Sequence, residues 1–159
     1  MKILGIDPGR RTIGYGVIEK RPDTLELLEY GVIETNPRRS TQENLIELQK
    51  KLENILNRHS PRLAGVEKLF FAKNLKTAIG VSEARGVILL TLQKYKAQIF
   101  EFSPREVKRA VTGDGAADKK QVAKMTKLIL RLNEEPKPDD AADALAIAIC
   151  AANQRTYQQ

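Results

Sequence analysis

Four acidic residues sit in apolar stretches, where a charge is costly. Asp7 ends the run Ile3 to Asp7, and a Pro8-Gly9 turn follows it. Alternation along a strand puts Ile3, Gly5 and Asp7 on one face. Glu67 ends a second run, Leu63 to Val66. Asp140 and Asp143 are three apart in a segment of Ala, Leu and Ile, so a helix would present both on one face. An acid in such surroundings is expensive unless it is paired or holds a metal. The chain has one histidine, His59, and one cysteine, Cys150. The four acids therefore form an all-oxygen set, which suits hard cations such as Mg²⁺ and Mn²⁺ and does not suit zinc. Two such ions about 4 Å apart activate water and stabilise the leaving oxygen in phosphodiester cleavage.

Each acid alone also has a plainer reading. Asp7 can shape the turn at Pro8-Gly9. Glu67 can pair with Lys68 or Arg85. Asp139 and Asp140 can cap the last helix and complement its dipole. The three placements are independent, so their joint occurrence favours the metal site. His59, at a helix end, reads as a cap, and Cys150, on an apolar helix, as a packing residue. One Cys and one His exclude a disulfide framework and a Cys- or His-rich zinc site.

The elements that must position these acids follow from periodicity. Ile3–Asp7, Thr12–Glu19 and Leu25–Thr35 read as strands of an antiparallel meander, with a turn at Arg21-Pro22-Asp23. A Pro-, Arg- and Ser-containing linker, Asn36 to Ser40, follows. Leu45, Leu48, Leu52, Ile55 and Leu56 recur at helical spacing, capped by Ser40 or Thr41 and running to about His59. Leu63–Glu67 is a strand, Ala72–Tyr95 a long helix and Gln98–Phe102 a strand. Ser103-Pro104-Arg105-Glu106 opens a capped helix. Thr112–Ala117 is a loop, Asp118–Leu132 a helix and Asp139–Asn153 a last, buried helix. The order β-β-β-α-β-α-β-α-α-α predicts an α/β fold: one mixed sheet with helices on its faces. Residues 1–153 are expected to form one domain, and 154–159 a polar tail.

Composition narrows the partners. Of 159 residues, 42% are hydrophobic and 30% charged, which excludes a largely disordered chain. The net charge of +7 points to a polyanion, nucleic acid above all. Segment 104–137 carries nine basic residues against five acids. On its second helix Lys120, Lys124, Lys127 and Arg131 point outward, which beside a Gly-containing loop and a metal site favours phosphate contact. Thr112-Gly113-Asp114-Gly115 lacks the pattern of a nucleotide P-loop. Phe70-Phe71, just past Glu67, could leave one ring free to stack on a base. The helix over 72–95 is apolar over more than one face. Leu75, Ile79, Gly86 and Leu90 form one stripe, while Val81, Ile88 and Leu92 lie off it. A second copy of the chain is the expected partner of that surface, with Ile88 and Leu92 at the contact. No apolar run reaches the ~20 residues of a membrane span and no signal peptide is evident, so a cytoplasmic setting is expected.

At these residues the chain resembles the RuvC family of Holliday-junction resolvases. The blocks are G-I-D-P-G at 5–9 with T-I-G-Y-G-V at 12–17, V-E-K-L-F-F-A-K-N at 66–74 and E-A-R-G at 83–86. They continue with V-K-R-A-V-T-G-D-G-A-A-D-K-K-Q-V at 107–122 and P-D-D-A-A-D-A-L-A-I-A at 138–148. Each block is weak alone, but their order and spacing along nearly the whole chain are specific. The resemblance implies an RNase H-like fold with a five-stranded mixed sheet and helices on both faces. It implies a homodimer that binds four-way DNA and nicks two strands symmetrically in recombination and repair, served by a branch-migration helicase. It puts the metal-binding acids at Asp7, Glu67, Asp140 and Asp143, with two Mg²⁺ ions that Mn²⁺ can replace. It puts a junction-centre aromatic at Phe70 and DNA-contacting lysines at Lys108 and Lys119, beside which Lys120 is a further candidate. Asp139 is an extra acid that can share the role of Asp140.

Two other classes compete. An actin-like sugar kinase or ATPase also uses an I-D-x-G strand end, but duplicates the domain at more than twice this length. A non-catalytic nucleic-acid binder on the same fold has no use for four clustered carboxylates near DNA.

Overall fold

The computed structural model describes residues 1–69 and 75–154. The three N-terminal strands, β1 (Lys2–Asp7), β2 (Thr12–Lys20) and β3 (Leu25–Glu34), form the expected antiparallel meander. Helix α1 (Thr41–His59) follows, then β4 (Leu63–Glu67), α2 (Leu75–Lys94) and β5 (Gln98–Phe102). Three helices close the chain: α3 (Pro104–Thr112), α4 (Lys119–Ile129) and α5 (Asp139–Ala152). The five strands lie in the order β3-β2-β1-β4-β5, with β4 and β5 joining β1 in parallel. This is the mixed five-stranded sheet with helices on both faces that the element order implies.

Local signals start the helices where the sequence puts them. Ser40 and Glu43 form a capping box on α1, Ser103 and Glu106 on α3, and Asp118 and Gln121 on α4. Asp118 is thus the cap of α4 rather than its first turn, and that helix ends at Ile129, short of the expected Leu132.

The strand alternation of β1 sorts two cores. Leu4 and Ile6 pack with Leu48, Leu52, Ile88 and Leu92 under α1 and α2. Ile3 packs with Leu145, Val107 and Val122 under α3, α4 and α5. Helix α5 lies directly on the sheet. A Cβ at Gly5 would overlap the Ala144 carbonyl, and one at Gly14 would overlap the carbonyl of Asp140. Glycine is therefore required at both positions, and alanines on the helix complete the fit.

Two expectations are corrected. Ile88 and Leu92 are fully buried in this chain's own core, so they do not form a contact with a second copy. The outward residues of α2 are Ile79, 61% exposed, and Leu90, 58% exposed. His59 does not cap α1, whose end is made by Ser60 in the left-handed conformation. Its Nε2 lies 2.6 Å from Glu29 Oε2 instead, in a cluster with Arg58 and Tyr15.

Candidate active site

Asp7 and Glu67 end adjacent parallel strands. The register pairs Ile6 with Val66, so the next and last residue of each strand is an acid at the same end of the sheet. The two carboxyls share a hydrogen bond. Burial, the Glu67 charge and the more distant Asp143 and Asp140 push Asp7 up to about 8. Glu67 is also raised, by burial and by Asp143, against the hydrogen bond from Asp7. Both carboxyls are therefore harder to ionise than free ones, with Asp7 donating the shared hydrogen bond to Glu67.

Helix α5 brings the second pair of acids. Its N-cap is Pro138, and no side chain caps it, so neither Asp139 nor Asp140 acts as the cap. Close contact at Gly14 sets the first turn of α5 beside the end of β1, which brings Asp140 and Asp143 within electrostatic reach of Asp7. Asp143 is half-buried, and burial together with Asp139 and Asp140 raises it despite Lys119. Lys119 Nζ sits 3.1 Å from Asp143 Oδ2 and 3.2 Å from Asp139 Oδ2. Burial opposes the Lys119 ammonium, but these two acids outweigh it and raise its affinity for the proton.

A cleft of about 240 Å³ runs beside these acids, lined by Glu67, Lys108, Lys119, Val122 and Asp143 among others. Lys108 comes from α3 and Lys119 from the first turn of α4. Between them Gly113, with φ of 82°, ends α3 and reverses the chain. The Asp114 carboxylate accepts from Ala116 N–H at 2.8 Å and tightens the loop. Lys120 is exposed on α4 and does not line the cleft. Phe70 lies outside the described residues. Arg85 does not pair with the Glu67 carboxylate: it donates to the Glu67 main-chain carbonyl at 3.3 Å and pairs with Glu101.

The chemistry of the set fits a hard divalent cation. Its donors are all carboxylate oxygens, and burial together with their mutual repulsion raises Asp7, Glu67 and Asp143, a cost that a cation would offset. Among the described residues no three such side chains stand close enough together to hold a metal ion as they are placed. Asp7 is held by Glu67, and Asp143 by Lys119. Sequence reasoning did not connect Lys119 with Asp143, because 24 positions separate them and no local pattern carries that contact.

The mixed five-stranded sheet with helices on both faces is that of the RNase H-like class, and here acids end the central strand β1 and its neighbour β4. The family described as crossover junction endodeoxyribonuclease RuvC matches residues 3–151 of the chain. The protein of that name from Petrotoga mobilis is 49% identical over 155 residues, covering 98% of this chain and 95% of its own. That from Halothermothrix orenii is 48% identical over 153 residues, covering 96% and 93%. Thermus thermophilus RuvC in complex with a Holliday junction substrate superposes with a TM-score of 0.86 at 31% identity, covering 94% of this chain and 92% of that one. The chain belongs to the RuvC family of crossover junction endodeoxyribonucleases. Nucleases of this family depend on a divalent metal.

Proposed function

We propose that Asp7, Glu67, Asp140 and Asp143 are the metal-binding acids of this junction endonuclease, and that Lys108 and Lys119 hold the phosphates of the cut strand. The chain is a DNA hydrolase that resolves Holliday junctions. The observation that carries the residue assignment is the convergence of Asp7, Glu67 and Asp143, from three separate elements, beside one lysine-lined cleft. Mg²⁺, with Mn²⁺ as a substitute, suits a set in which every donor is a carboxylate, and two ions are what the family resemblance implies. When bound, the metal supplies an activated water and a counter-charge for the leaving oxygen.

The chain's own residues do the rest. Lys119 offers its ammonium between Asp143 and the cleft, and an incoming phosphate competes with Asp139 and Asp143 for it. Lys108 faces the same cleft from α3, so a phosphodiester lying there meets cations on two sides. Asp7 and Glu67 would hold the metal from the ends of β1 and β4, and its charge would offset the cost of burying two carboxylates side by side.

Resolving a four-way junction requires two cuts, so the active unit is a homodimer whose two-fold axis matches that of the junction. The exposed Ile79 and Leu90 of α2, with Gly86 between them and nothing among the described residues packed on it, support that face as the contact. Among the described residues no helix is long and apolar enough to cross a membrane. Work on chromosomal DNA beside a branch-migration helicase fits a cytoplasmic setting. A synthetic four-way junction, incubated with and without Mg²⁺, tests the reading: symmetric paired nicks appear only with the metal. Intact junctions under both conditions would overturn it.

A further inference from the structure

On the opposite side of the sheet from the lysine-lined cleft lies a second cleft of about 380 Å³, bordered by Arg10, Arg11, Arg39, Asn44 and Glu83 among others. Three arginines from two separate loops meet there, with Arg38 next to the third in the chain. Arg10-Arg11 follow Asp7 through the turn between β1 and β2, and Arg38-Arg39 lie in the linker between β3 and α1. Hydrogen bonds hold the loops together. Thr35 N–H donates to the Arg11 carbonyl at 2.9 Å. The Asn44 side chain accepts from Asn36 N–H at 2.8 Å and donates to the Asn36 carbonyl at 2.9 Å. The Arg10 stem lies over Gly80 of α2, where the missing side chain leaves it room. All four arginines are exposed. Arg39 is shared with Glu47 at 2.6 Å. Neither Arg10, Arg11 nor Arg38 pairs with a carboxylate among the described residues. Glu83 is the acid in the cleft wall, so cations remain in excess.

We propose that this cleft is a second phosphate-binding groove, which grips the DNA strand beside the cut. The proposal rests on the nuclease reading above. Guanidinium forks match phosphate oxygens, and the hydrogen-bonded loops present them already ordered. Position favours nucleic acid over an acidic protein. Arg10 stands three residues beyond Asp7, a reach of at most ~10 Å. At about 3.4 Å per phosphate along one strand, Arg10 lies within roughly three nucleotides of a phosphate cut at Asp7. A backbone leaving the catalytic cleft across the ends of β1 and β4 passes next over Arg10 and Arg11. The strand would then be held on one flank by Lys108 and Lys119 and on the other by arginines.

The test is junction binding by fluorescence anisotropy in EDTA over a salt series, with hydroxyl-radical footprinting of the bound strand. The variants are Arg10→Gln with Arg11→Gln, and Arg39→Gln alone. Arg11→Gln alone is the second variant should loss of the Arg10 stem from Gly80 unfold the chain, as thermal melting would reveal. The double variant should bind about tenfold more weakly near 0.1 M salt, and its salt slope should fall by roughly two. Protection should be lost on one side of the cut, within about three nucleotides. Wild-type slope and footprint in the folded variants overturn the groove while leaving the nuclease reading intact. A wild-type chain that does not bind four-way DNA overturns both.

Discussion

Asp7 collects the electrostatics of the candidate site. It is hydrogen-bonded to Glu67 and repelled by Asp140 and Asp143. Asp7→Asn, Glu67→Gln and Asp143→Asn should each slow junction nicking by roughly 10²–10³-fold or more, since each removes a ligand charge. Junction affinity in EDTA should hold or rise, because fewer carboxylates face the phosphates. Wild-type nicking by Asp7→Asn or Glu67→Gln would sink the assignment, whereas wild-type nicking by Asp140→Asn would shift that role to Asp139. A different acid governs pH dependence away from the site. Burial opposes ionisation of Glu29, but hydrogen bonds from His59, Arg58 and Tyr15 outweigh it and bring the carboxyl down to about 2 from its ordinary 4.5. The folded state therefore binds this proton more weakly than the unfolded chain does. The contribution is complete above 4.5 and is lost as pH falls toward 2. With solvent screening allowed for, Glu29→Gln should cost about 1–2 kcal/mol at pH 7. Thermal melting should show the gap between variant and wild type close on acidification; a gap independent of pH would refute the role.

At the scale of elements, the decisive contact is α5 on the sheet. Ala144 and Asp140 present main-chain carbonyls to Gly5 and Gly14, leaving no space for a methyl group. Gly14→Ala should therefore displace the first turn of α5 and cost about 1–3 kcal/mol. Because that turn carries Asp140, nicking should fall further than stability explains. Urea denaturation beside a nicking assay under folding conditions separates the two losses. A stable, fully active Gly14→Ala variant would show that α5 tolerates a shift. The contrast is Gly86 on α2, where nothing lies within 4 Å. Gly86→Ala should stabilise the isolated chain by about 0.5–1 kcal/mol, the usual gain in a helix interior.

For the whole molecule, charge and assembly govern function. Lys108→Ala and Lys119→Ala should each lower the salt slope of junction binding by roughly one, the signature of one lost phosphate contact. Slopes equal to wild type in both variants would move the cut strand out of the cleft. Assembly is read by sedimentation at micromolar concentration. Ile79→Glu or Leu90→Glu should convert a dimer to a folded monomer. Ile88→Glu should unfold the chain, because that side chain is fully buried. A wild-type monomer, free and on DNA, that still makes paired cuts would refute the dimer. Gly86→Ala would also weaken a dimer whose helices approach closely there, opposite in sign to its effect on the single chain.

Periodicity and turn chemistry sufficed to order all ten elements and start the capped helices, because both act over a few neighbouring residues. The four acids were legible for a related reason: a carboxylate ending an apolar strand, or paired within an apolar helix, is anomalous in its own neighbourhood. What the acids touch was not legible. Lys119 meets Asp143 only because the loop after α3 turns α4 back over α5. Glu29 meets His59 only because α1 packs across β3. Arg10, Arg11 and Arg39 share a cleft only because β2 and β3 bring their loops to one end of the sheet. The apolar faces of α2 were visible in the sequence, but not which of them faced inward. That choice was made by the sheet, which buried Ala84, Ile88 and Leu92 and left Ile79 and Leu90 to solvent. These outcomes depend on strand order and on the depth at which a helix can settle, and both are set by contacts between residues far apart in the chain.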